Sequence, residues 1–442
     1  MKAGWIALGC PKNQADTEYI MGLLADQYPV TTDPREAEIL IINTCSFIQP
    51  ATEESLDTIM EFAQYKKGRC KLLVVVGCLP QRYGVKVQRL IPEVDLWVGT
   101  GEYSRLPLLI AEALEKKTKG VYTANPGWVE MSSEQRVLST GGYTAYLKIA
   151  EGCNNHCLFC IIPQLRGKYR SRDFFQLKTE TEKLVAGGVK EVVLVAQDTT
   201  AYGQDVGDQT FCRLLSALDE IEGEFWLRIL YTYPSRLDDE LLTLIRDSKH
   251  ICNYLDIPLQ HVAPAVLRAM GRKIGPESYL ELIERVRKFI PDITIRSTFL
   301  LGYPGETEAD FQQVLAFLDQ ARLDWVGAFP YYREPGTAAA ELKPQVHQST
   351  RRKRAREVLK VQQRISAVKN RALTGKTLKV LVEKKSMREP NVWIGRSYRE
   401  APEIDGLVEI EAPLDRPLQV GEFIEGTVTG GEAYEVRIKL DT

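Results

Sequence analysis

Apolar and polar positions alternate regularly over residues 1–122, where short apolar runs are separated by longer amphipathic stretches. The runs are rich in branched residues and bounded by turn residues, which is typical of strands buried in a parallel sheet. The predicted strands are Trp5–Leu8, Ile39–Ile42 and Leu72–Val76, and the predicted helices are Thr17–Gln27 and Thr52–Gln64, with Thr52 as the N-cap of the second. We therefore expect a doubly wound α/β domain.

A polar stretch over residues 123–142, which includes Pro126, is interpreted as a linker. The strand and helix alternation then resumes over residues 143–373. The predicted strands are Tyr146–Ala150, Glu191–Val195, Trp226–Leu230, Tyr254–Ile257, Thr294–Leu301 and Trp325–Phe329, and the predicted helices include Phe174–Ala186, Gly275–Phe289 and one that a Thr307–Asp310 capping box opens. Six βα units in series predict a full barrel or a (β/α)6 partial barrel.

A long basic helix is predicted over Thr350–Leu373, at the end of the barrel region. A run of charges on a helix is typical of a solvated face, and it is also typical of a binding surface. The sequence leaves both interpretations open.

The last segment, residues 374–442, consists of short alternating runs split by Gly and Pro, which predicts a small all-β barrel. It is acidic: ten Lys or Arg and thirteen Asp or Glu lie from Lys376 onward. From Asn391 onward the counts are five and eleven. An acidic barrel repels a nucleic-acid backbone and suits a basic protein partner.

The composition is that of an ordinary globular protein, with 26% charged and 44% hydrophobic residues among 442. The 57 Lys and Arg nearly balance the 59 Asp and Glu, which argues against a surface built throughout to hold nucleic acid. No apolar run reaches the roughly 18 residues that cross a bilayer. We therefore expect a soluble, cytoplasmic protein without a membrane partner.

Three of the nine cysteines form a C-x3-C-x2-C loop directly after the first predicted barrel strand: Cys153, Cys157 and Cys160. The carboxyl ends of barrel strands are where barrel enzymes build their active sites. Iron–sulfur clusters normally take four cysteines, so three would leave one metal position open for a ligand. A zinc site with His156 as the fourth ligand is the alternative.

Three further cysteines share one local pattern, in which an apolar strand is followed by a small residue and then by the cysteine. They are Cys10, Cys45 and Cys78, in the runs IALGC, IINTC and VVVGC. Parallel strands share one direction, so these thiols are expected to meet at one sheet edge, where doubly wound sheets bind ligands. They are candidates for a second cluster, against the alternative of three separate buried thiols. We interpret Cys70, Cys212 and Cys252 as core or incidental residues.

The barrel loop resembles the signature of the radical S-adenosylmethionine enzymes. Together with the second cysteine set and the C-terminal β-barrel, the whole chain resembles the methylthiotransferases, which carry an N-terminal cluster domain, a radical barrel and a TRAM domain. Family members that modify transfer RNA usually carry a GCQMN-like first motif. Here the motifs that resemble the RimO-type branch instead are GCPKNQADTE (Gly9–Glu18), EGCNNHCLFCIIPQLRGKYRSR, DIPLQH, LGYPGETEADF and GRSYREAPEIDG (Gly395–Gly406).

The resemblance implies two [4Fe–4S] clusters, S-adenosylmethionine, and methylthiolation of an aspartate β-carbon on ribosomal protein S-twelve of the small subunit. Cys153, Cys157 and Cys160 would hold the cluster that cleaves the cofactor. The other three cysteines would hold the cluster that presents sulfur. A basic ribosomal protein, a reductase or other electron donor and a sulfur donor are the implied partners. Two alternatives remain: a transfer-RNA adenosine methylthiotransferase, and a non-catalytic iron–sulfur module that senses redox state on the ribosome.

Basic residues follow the barrel loop directly: Arg166, Lys168, Arg170 and Arg172. Arginine binds carboxylates through paired hydrogen bonds, so Arg166, Arg170 and Arg172 are candidates to contact the substrate aspartate or the cofactor carboxylate, or to stabilise a reduced cluster. A solvated loop is the alternative.

Polar residues and glycines that follow or end the predicted barrel strands are candidate cofactor-binding residues, because ligands bind at that end of a barrel. They are Gln197, Gln260, Arg296, Gly302, Gly305 and Glu306, with Asp198 beside them. The glycine-rich turn allows close backbone approach, and an ordinary strand–helix connection is the alternative. His261 is interpreted as either a ligand or a structural histidine.

Overall fold

The computed structural model describes residues 1–127, 136–207, 210–272, 277–389, 391–413 and 416–440. Its N-terminal part is a six-stranded parallel sheet with helices between the strands. The strands are β1 (Ala3–Ala7), β2 (Val30–Thr31), β3 (Ile39–Thr44), β4 (Leu72–Gly77), β5 (Leu96–Gly99) and β6 (Gly120–Tyr122). The helices are α1 (Pro11–Ala25), α2 (Gln49–Ala63), α3 (Cys78–Leu90) and α4 (Leu106–Lys116).

The strand order is β2-β1-β3-β4-β5-β6, so the chain changes direction across the sheet between β1 and β3. Open α/β sheets bind ligands at such a switch point, beyond the carboxyl ends of the strands. The predicted doubly wound domain is therefore confirmed. The prediction that Thr52 is the N-cap of α2 was wrong, because α2 begins at Gln49 with Ile48 before it. The Thr52 hydroxyl instead donates to the Ile48 carbonyl inside the first turn, 3.3 Å away.

The central part contains six parallel strands, as predicted from the apolar runs. They are β7 (Thr144–Lys148), β10 (Glu191–Val195), β11 (Trp226–Ile229), β12 (Tyr254–Asp256), β13 (Thr294–Leu301) and β14 (Trp325–Pro330), and a short ribbon of β8 (Ala150–Glu151) and β9 (Arg170–Ser171) flanks the cysteine loop. The helices are α5 (Ile162–Arg166), α6 (Phe174–Ala186), α7 (Phe211–Asp219), α8 (Asp239–Asp247), α9 (Pro264–Ala269), α10 (Tyr279–Phe289), α11 (Glu308–Ala321) and α12 (Gln348–Arg371).

These strands form two three-stranded sheets, β7-β10-β11 and β12-β13-β14, which meet where Leu227 pairs in parallel with Ile251. Within the described part of the chain no backbone pairing joins β14 back to β7, so the barrel is partial. The capping box of Thr307 and Asp310 opens α11 as predicted. The start of the predicted helix Gly275–Phe289 lies partly outside the described residues.

The C-terminal part is a closed five-stranded barrel with the order β15-β16-β17-β19-β18. Its strands are β15 (Thr377–Lys385), β16 (Val392–Ser397), β17 (Leu407–Glu411), β18 (Phe423–Gly431) and β19 (Glu435–Lys439). The segment 395–406 lies against the first residues of the central strands: Arg396 binds Glu191 at 2.5 Å, and the Trp325 indole donates to the Arg399 carbonyl at 2.7 Å. This segment therefore closes the amino-terminal end of the partial barrel.

The described part of the predicted linker lies between the N-terminal sheet and the barrel. The buried Arg136 guanidinium binds Glu18 at 2.6 Å and Glu180 at 2.8 Å, and the Ser139 hydroxyl donates to Glu18. The domain boundaries after residues 122, 142 and 373 stay predictions. No helix in the described ranges is both long and apolar enough to span a bilayer.

Candidate active site at the mouth of the central barrel

The sheet-edge thiols follow β1, β3 and β4, at the switch point of the N-terminal sheet. Glycines with positive φ precede two of them: Gly9 (φ +95°) before Cys10 and Gly77 (φ +104°) before Cys78. A β-carbon on Gly9 would lie 2.6 Å from the Cys45 β-carbon, and one on Gly77 would lie 2.4 Å from the Asn43 side-chain oxygen. Only glycine fits these two turns, and at Gly9 the missing side chain is what allows Cys10 and Cys45 to approach each other.

The barrel-loop thiols are held by backbone contacts of a compact loop after β7 and β8. The Cys153 amide donates to the Gly167 carbonyl at 3.2 Å, and the Cys160 amide donates to the Cys157 carbonyl at 3.0 Å. The Asn155 side chain anchors the loop to Asp198 at 2.6 Å. The loop thus presents three thiols from eight consecutive residues, Cys153–Cys160.

Both cysteine sets face one cavity of about 330 Å³ at the carboxyl ends of the barrel strands. All six predicted cysteines line it, and Cys70, Cys212 and Cys252 do not. This volume lies within the usual range for a small-molecule site. The structure therefore brings together two groups of thiols, distant in sequence, around a space large enough for a cofactor.

The donors on the cavity wall are of the type that a [4Fe–4S] cluster takes. All six thiols line the cavity, and thiolates are the usual ligands of such clusters. His156 belongs to the barrel loop but is not among the residues that line the cavity. The donor set therefore fits a [4Fe–4S] cluster, and His156 is not placed beside the thiols as the zinc alternative requires.

Burial favours the protonated thiol at cysteines of both sets, because it raises the pKa of Cys45, Cys78, Cys153 and Cys160. Burial, assisted by the neighbouring Cys78 and Cys10, raises the pKa of the Cys45 thiol to about 12. Burial likewise raises the pKa of Cys160 to about 12. Metal binding requires thiolates, so cluster assembly in this cavity must release protons.

A buried arginine joins the two cysteine sets. The Arg166 guanidinium, at the end of α5, binds Asp16 of α1 at 2.6 Å, Glu151 at 3.1 Å and the Asn13 side-chain oxygen at 2.6 Å. Lys148 also contacts both carboxylates. Burial opposes ionisation of Glu151, but Arg166 and Lys148 outweigh it and lower its pKa. The N-terminal sheet is therefore fixed to the barrel loop by a paired cluster of charges.

Family models match three parts of the chain: "Uncharacterized protein family UPF0004" over residues 2–99, "Radical SAM superfamily" over residues 147–318 and "TRAM domain" over residues 374–439. Two relatives, from Geobacter sulfurreducens and Pelotomaculum thermopropionicum, are each named ribosomal protein uS12 methylthiotransferase RimO. Both are 44% identical to this chain; the first match covers 98% of this chain and 97% of the relative, and the second covers 99% and 98%. The chain belongs to the RimO family.

Membership of the RimO family makes the chain a radical S-adenosylmethionine enzyme of the methylthiotransferase type, with a C-terminal TRAM domain. It implies a [4Fe–4S] cluster and S-adenosylmethionine, and it disfavours the non-catalytic alternative. The fold agrees with solved radical enzymes. TsrM from Kitasatospora setae has a TM-score of 0.57 at 14% identity and covers 77% of this chain and 74% of its own. OxsB has a TM-score of 0.53 at 14% identity, with coverages of 77% and 54%.

The structure separates the predicted cofactor-binding residues of this RimO-family chain into two groups. Gln197 and Gln260 line the cavity, as does Asp198. Gln197 donates to the Glu151 carboxylate at 3.0 Å. Arg296 does not line the cavity, because its guanidinium lies behind Asp256 and bridges that residue to Asp405.

The glycine-rich turn of Gly302, Gly305 and Glu306 is also absent from the cavity wall. The buried Glu306 carboxylate accepts the Gly302 amide at 2.6 Å and binds Arg354 of α12 at 2.7 Å. The buried His261 lies 3.5 Å from the same carboxylate and also supports this turn. These contacts favour the alternative of a strand–helix connection over a cofactor contact.

The three arginines predicted to contact substrate have different surroundings. Arg166 lines the cavity but is paired as described above. Arg172 is buried away from the cavity and binds Glu180 at 2.7 Å. Arg170, at the edge of the ribbon, donates to the Arg166 carbonyl at 3.0 Å and does not line the cavity. A direct substrate contact by Arg170 or Arg172 is therefore not supported by this arrangement.

Sequence reasoning missed several residues on the cavity wall: Lys12, Tyr231, Asp256, Arg272 and Thr298. The Arg272 guanidinium lies 4.0 Å from the Cys157 sulfur and donates to the Pro258 carbonyl at 2.6 Å. Lys12 and Asp256 carried a usable signal, since they lie in the first cysteine motif and in the motif DIPLQH. Tyr231 follows β11, Thr298 lies inside β13 and Arg272 follows α9, and nothing in the local sequence shows that these side chains face the cavity.

Proposed function

We propose that this chain methylthiolates the β-carbon of an aspartate in ribosomal protein uS12. The observation that carries the proposal is the single cavity that both cysteine sets line, since the chemistry needs a radical source and a sulfur source at one substrate atom. The names of the relatives support this substrate. The acidic charge of residues 391–442, five basic against eleven acidic residues, supports a basic protein partner over an RNA backbone.

In this proposal Cys153, Cys157 and Cys160 hold one [4Fe–4S] cluster, and Cys10, Cys45 and Cys78 hold a second. When bound, the first cluster together with S-adenosylmethionine supplies a 5′-deoxyadenosyl radical for hydrogen abstraction. A reductase or other electron donor and a separate sulfur donor complete the proposed partners.

The residues of the chain orient these groups and shield them from water. Arg272 places a positive charge 4.0 Å from the Cys157 sulfur, and its hydrogen bond to the Pro258 carbonyl fixes the guanidinium beside the loop. Aromatic side chains form much of the cavity wall: Phe47, Phe159, Tyr231 and Tyr233. Such walls keep solvent away from a reactive intermediate.

Two incubations of the anaerobically reconstituted protein test the proposed substrate. One contains uS12 or an assembled small subunit, and the other contains unmodified transfer RNA. We expect the mass gained when SCH3 replaces hydrogen on a uS12 aspartate and no such product on transfer RNA. Product on transfer RNA alone would show that the alternative substrate is correct.

Cysteine variants test the assignment of two clusters. The protein is expected to hold about eight iron per chain, because each [4Fe–4S] centre has four. The matched control is Cys70→Ala, which changes a buried cysteine just before β4 in the same N-terminal domain that does not line the cavity. This control is expected to keep the full iron content, and a wild-type content of about four iron would contradict a second cluster.

A further inference from the structure

Two of the three cations on the cavity wall, Lys12 and Arg272, have no carboxylate partner in the described part of the chain, whereas Arg166 pairs with two acids. Arg272 is engaged in another way, because it donates to the Pro258 carbonyl at 2.6 Å and lies 4.0 Å from the Cys157 sulfur. Lys12 lies in the first turn of α1, is 9% exposed and has no salt bridge within 4 Å among the described residues. Of these three cations, Lys12 is therefore the one whose charge is available to a ligand.

The Lys12 ammonium is held in place by an aromatic ring. Its nitrogen lies 3.5 Å from the centre of the Tyr231 ring. Tyr231 has a left-handed backbone (φ +61°), and its amide donates to the Asp256 carboxylate at 3.1 Å. Asp256 is itself paired with Arg296 at 3.0 Å, so its charge is already balanced. The ring orients Lys12 without neutralising it.

A buried ammonium without a counter-ion is costly, and a ligand that brings a carboxylate would remove the cost. Lys12 lies two residues after Cys10 and is near enough to Cys160 for its charge to oppose the effect of burial on that thiol. Lys12 therefore lies near a cysteine of each set. A substrate atom that reacts with groups bound by both sets must lie in the same region of the cavity.

We propose that Lys12 binds the side-chain carboxylate of the substrate aspartate; this inference rests on the proposed function. The carboxylate is one bond from the β-carbon, so a contact to it fixes the carbon that reacts. The three donors of the ammonium can engage both carboxylate oxygens. The GCQMN-like motif has methionine at the position of Lys12, and a nucleic-acid base offers no carboxylate to bind.

The test compares binding of two uS12 proteins, the natural one and one with the target aspartate changed to asparagine. Equilibrium binding is measured for the wild-type enzyme and for Lys12→Met, Lys12→Arg and Lys86→Met. Lys86→Met is the matched control, because Lys86 is an exposed lysine of the same N-terminal domain and does not line the cavity.

We expect the wild type to prefer the aspartate form by roughly tenfold to a hundredfold, the range of a hydrogen bond to a charged group. Lys12→Met should lose this preference and bind both forms at the weaker level. Lys12→Arg should restore much of it, and Lys86→Met should leave it unchanged. In turnover assays Lys12→Met should raise the KM for uS12 more than it lowers kcat.

Three results would overturn the proposal. The first is a preference for aspartate that persists in Lys12→Met. The second is a wild type that binds both forms equally, even if it methylthiolates uS12 and so upholds the proposed function. The third is a variant whose only defect is a higher requirement for S-adenosylmethionine, because Lys12 would then serve the cofactor carboxylate. Failure of the wild type to modify uS12 at all would reject the proposed function, and the inference with it.

Discussion

The two ends of the central barrel use charge in opposite ways. At the carboxyl end, six thiols and Lys12 face a cavity of about 330 Å³, and Lys12 has no salt bridge with any described residue. At the amino-terminal end, Glu191 lies between Arg228 at 2.7 Å and Arg396 at 2.5 Å, and all three are buried. The carboxyl end therefore has reactive side chains that face a cavity in which a ligand could bind. At the amino-terminal end, each of these buried charges is paired with another residue of the chain.

The difference between the two ends helps to distinguish buried polar groups that bind a ligand from those that hold the domains together. Buried charges that are fully paired fix one domain against another, whereas buried groups without partners indicate a ligand. One chain of ion pairs connects the two ends: Asp256, on the cavity wall, binds Arg296, and Arg296 binds Asp405 of the C-terminal segment at 3.2 Å. The C-terminal TRAM domain therefore helps to hold a residue of the cavity wall in place, through Arg296.

The largest effect is expected at the barrel-loop thiols. Cys157→Ala should abolish cleavage of S-adenosylmethionine, because two thiolates cannot replace the three that hold the cluster. The assay is formation of 5′-deoxyadenosine by the reduced, reconstituted enzyme, with Cys70→Ala as the control. Continued formation of 5′-deoxyadenosine by Cys157→Ala would contradict this assignment.

The sheet-edge thiols should give a narrower loss. Cys45→Ala is expected to form 5′-deoxyadenosine but no methylthiolated product, and to hold about four iron per chain in place of about eight. Mass spectrometry of uS12 and an iron assay measure the two results. Normal methylthiolation by this variant would show that Cys45 is not required for sulfur insertion.

At the opposite end, an arginine substitution should affect stability more than chemistry. Arg396→Met leaves the buried Glu191 with one partner and should lower the free energy of unfolding by about 3–5 kcal/mol. Arg437→Met, which breaks an exposed pair with Glu409, should cost less than about 1 kcal/mol. Denaturant titration checks both values, and equal losses for the two variants would rule out this account.

The smallest expected effect is a change in how the free energy of unfolding depends on pH, caused by the titration of Asp405. Burial raises its pKa from 3.8 to about 6, despite the contacts with Arg296 and Tyr254. Between these two pH values the folded protein keeps a proton that the unfolded chain has released, so this group's contribution to stability falls as pH rises. Asp405→Asn cannot titrate and should flatten the slope of unfolding free energy over that window. An unchanged slope would show that Asp405 does not titrate there.

The sequence was sufficient to predict the six cavity cysteines as two groups, for different reasons. The barrel-loop set is local, since eight consecutive residues carry it. The sheet-edge set could be predicted because strands that alternate with helices run parallel, so the residues after them lie on one edge of the sheet. That Cys10, Cys45 and Cys78 also lie close together depends on the adjacency of β1, β3 and β4, which only the structure shows.

The remaining predictions depended on contacts between distant residues. The sequence predicted Glu306 as a cofactor-binding residue, but in the structure Arg354, 48 residues later, binds its carboxylate and holds it within the glycine-rich turn. The sequence predicted that Arg172 contacts the substrate, but in the structure its guanidinium forms a salt bridge with Glu180. Polar residues after a strand can face the cavity or turn away from it, and only the three-dimensional neighbours decide which.

The salt-bridge cluster around Asp16 limits how this protein can be recombined with its relatives. The motif Gly9–Glu18 carries a cysteine of one set, and it also carries the carboxylate that balances Arg166 beside the other set. A chimaera whose N-terminal sheet lacks a carboxylate at position 16 would bury Arg166 and Lys148 with one acid fewer. The two motifs are therefore best exchanged together, although more than 100 residues separate them in the chain.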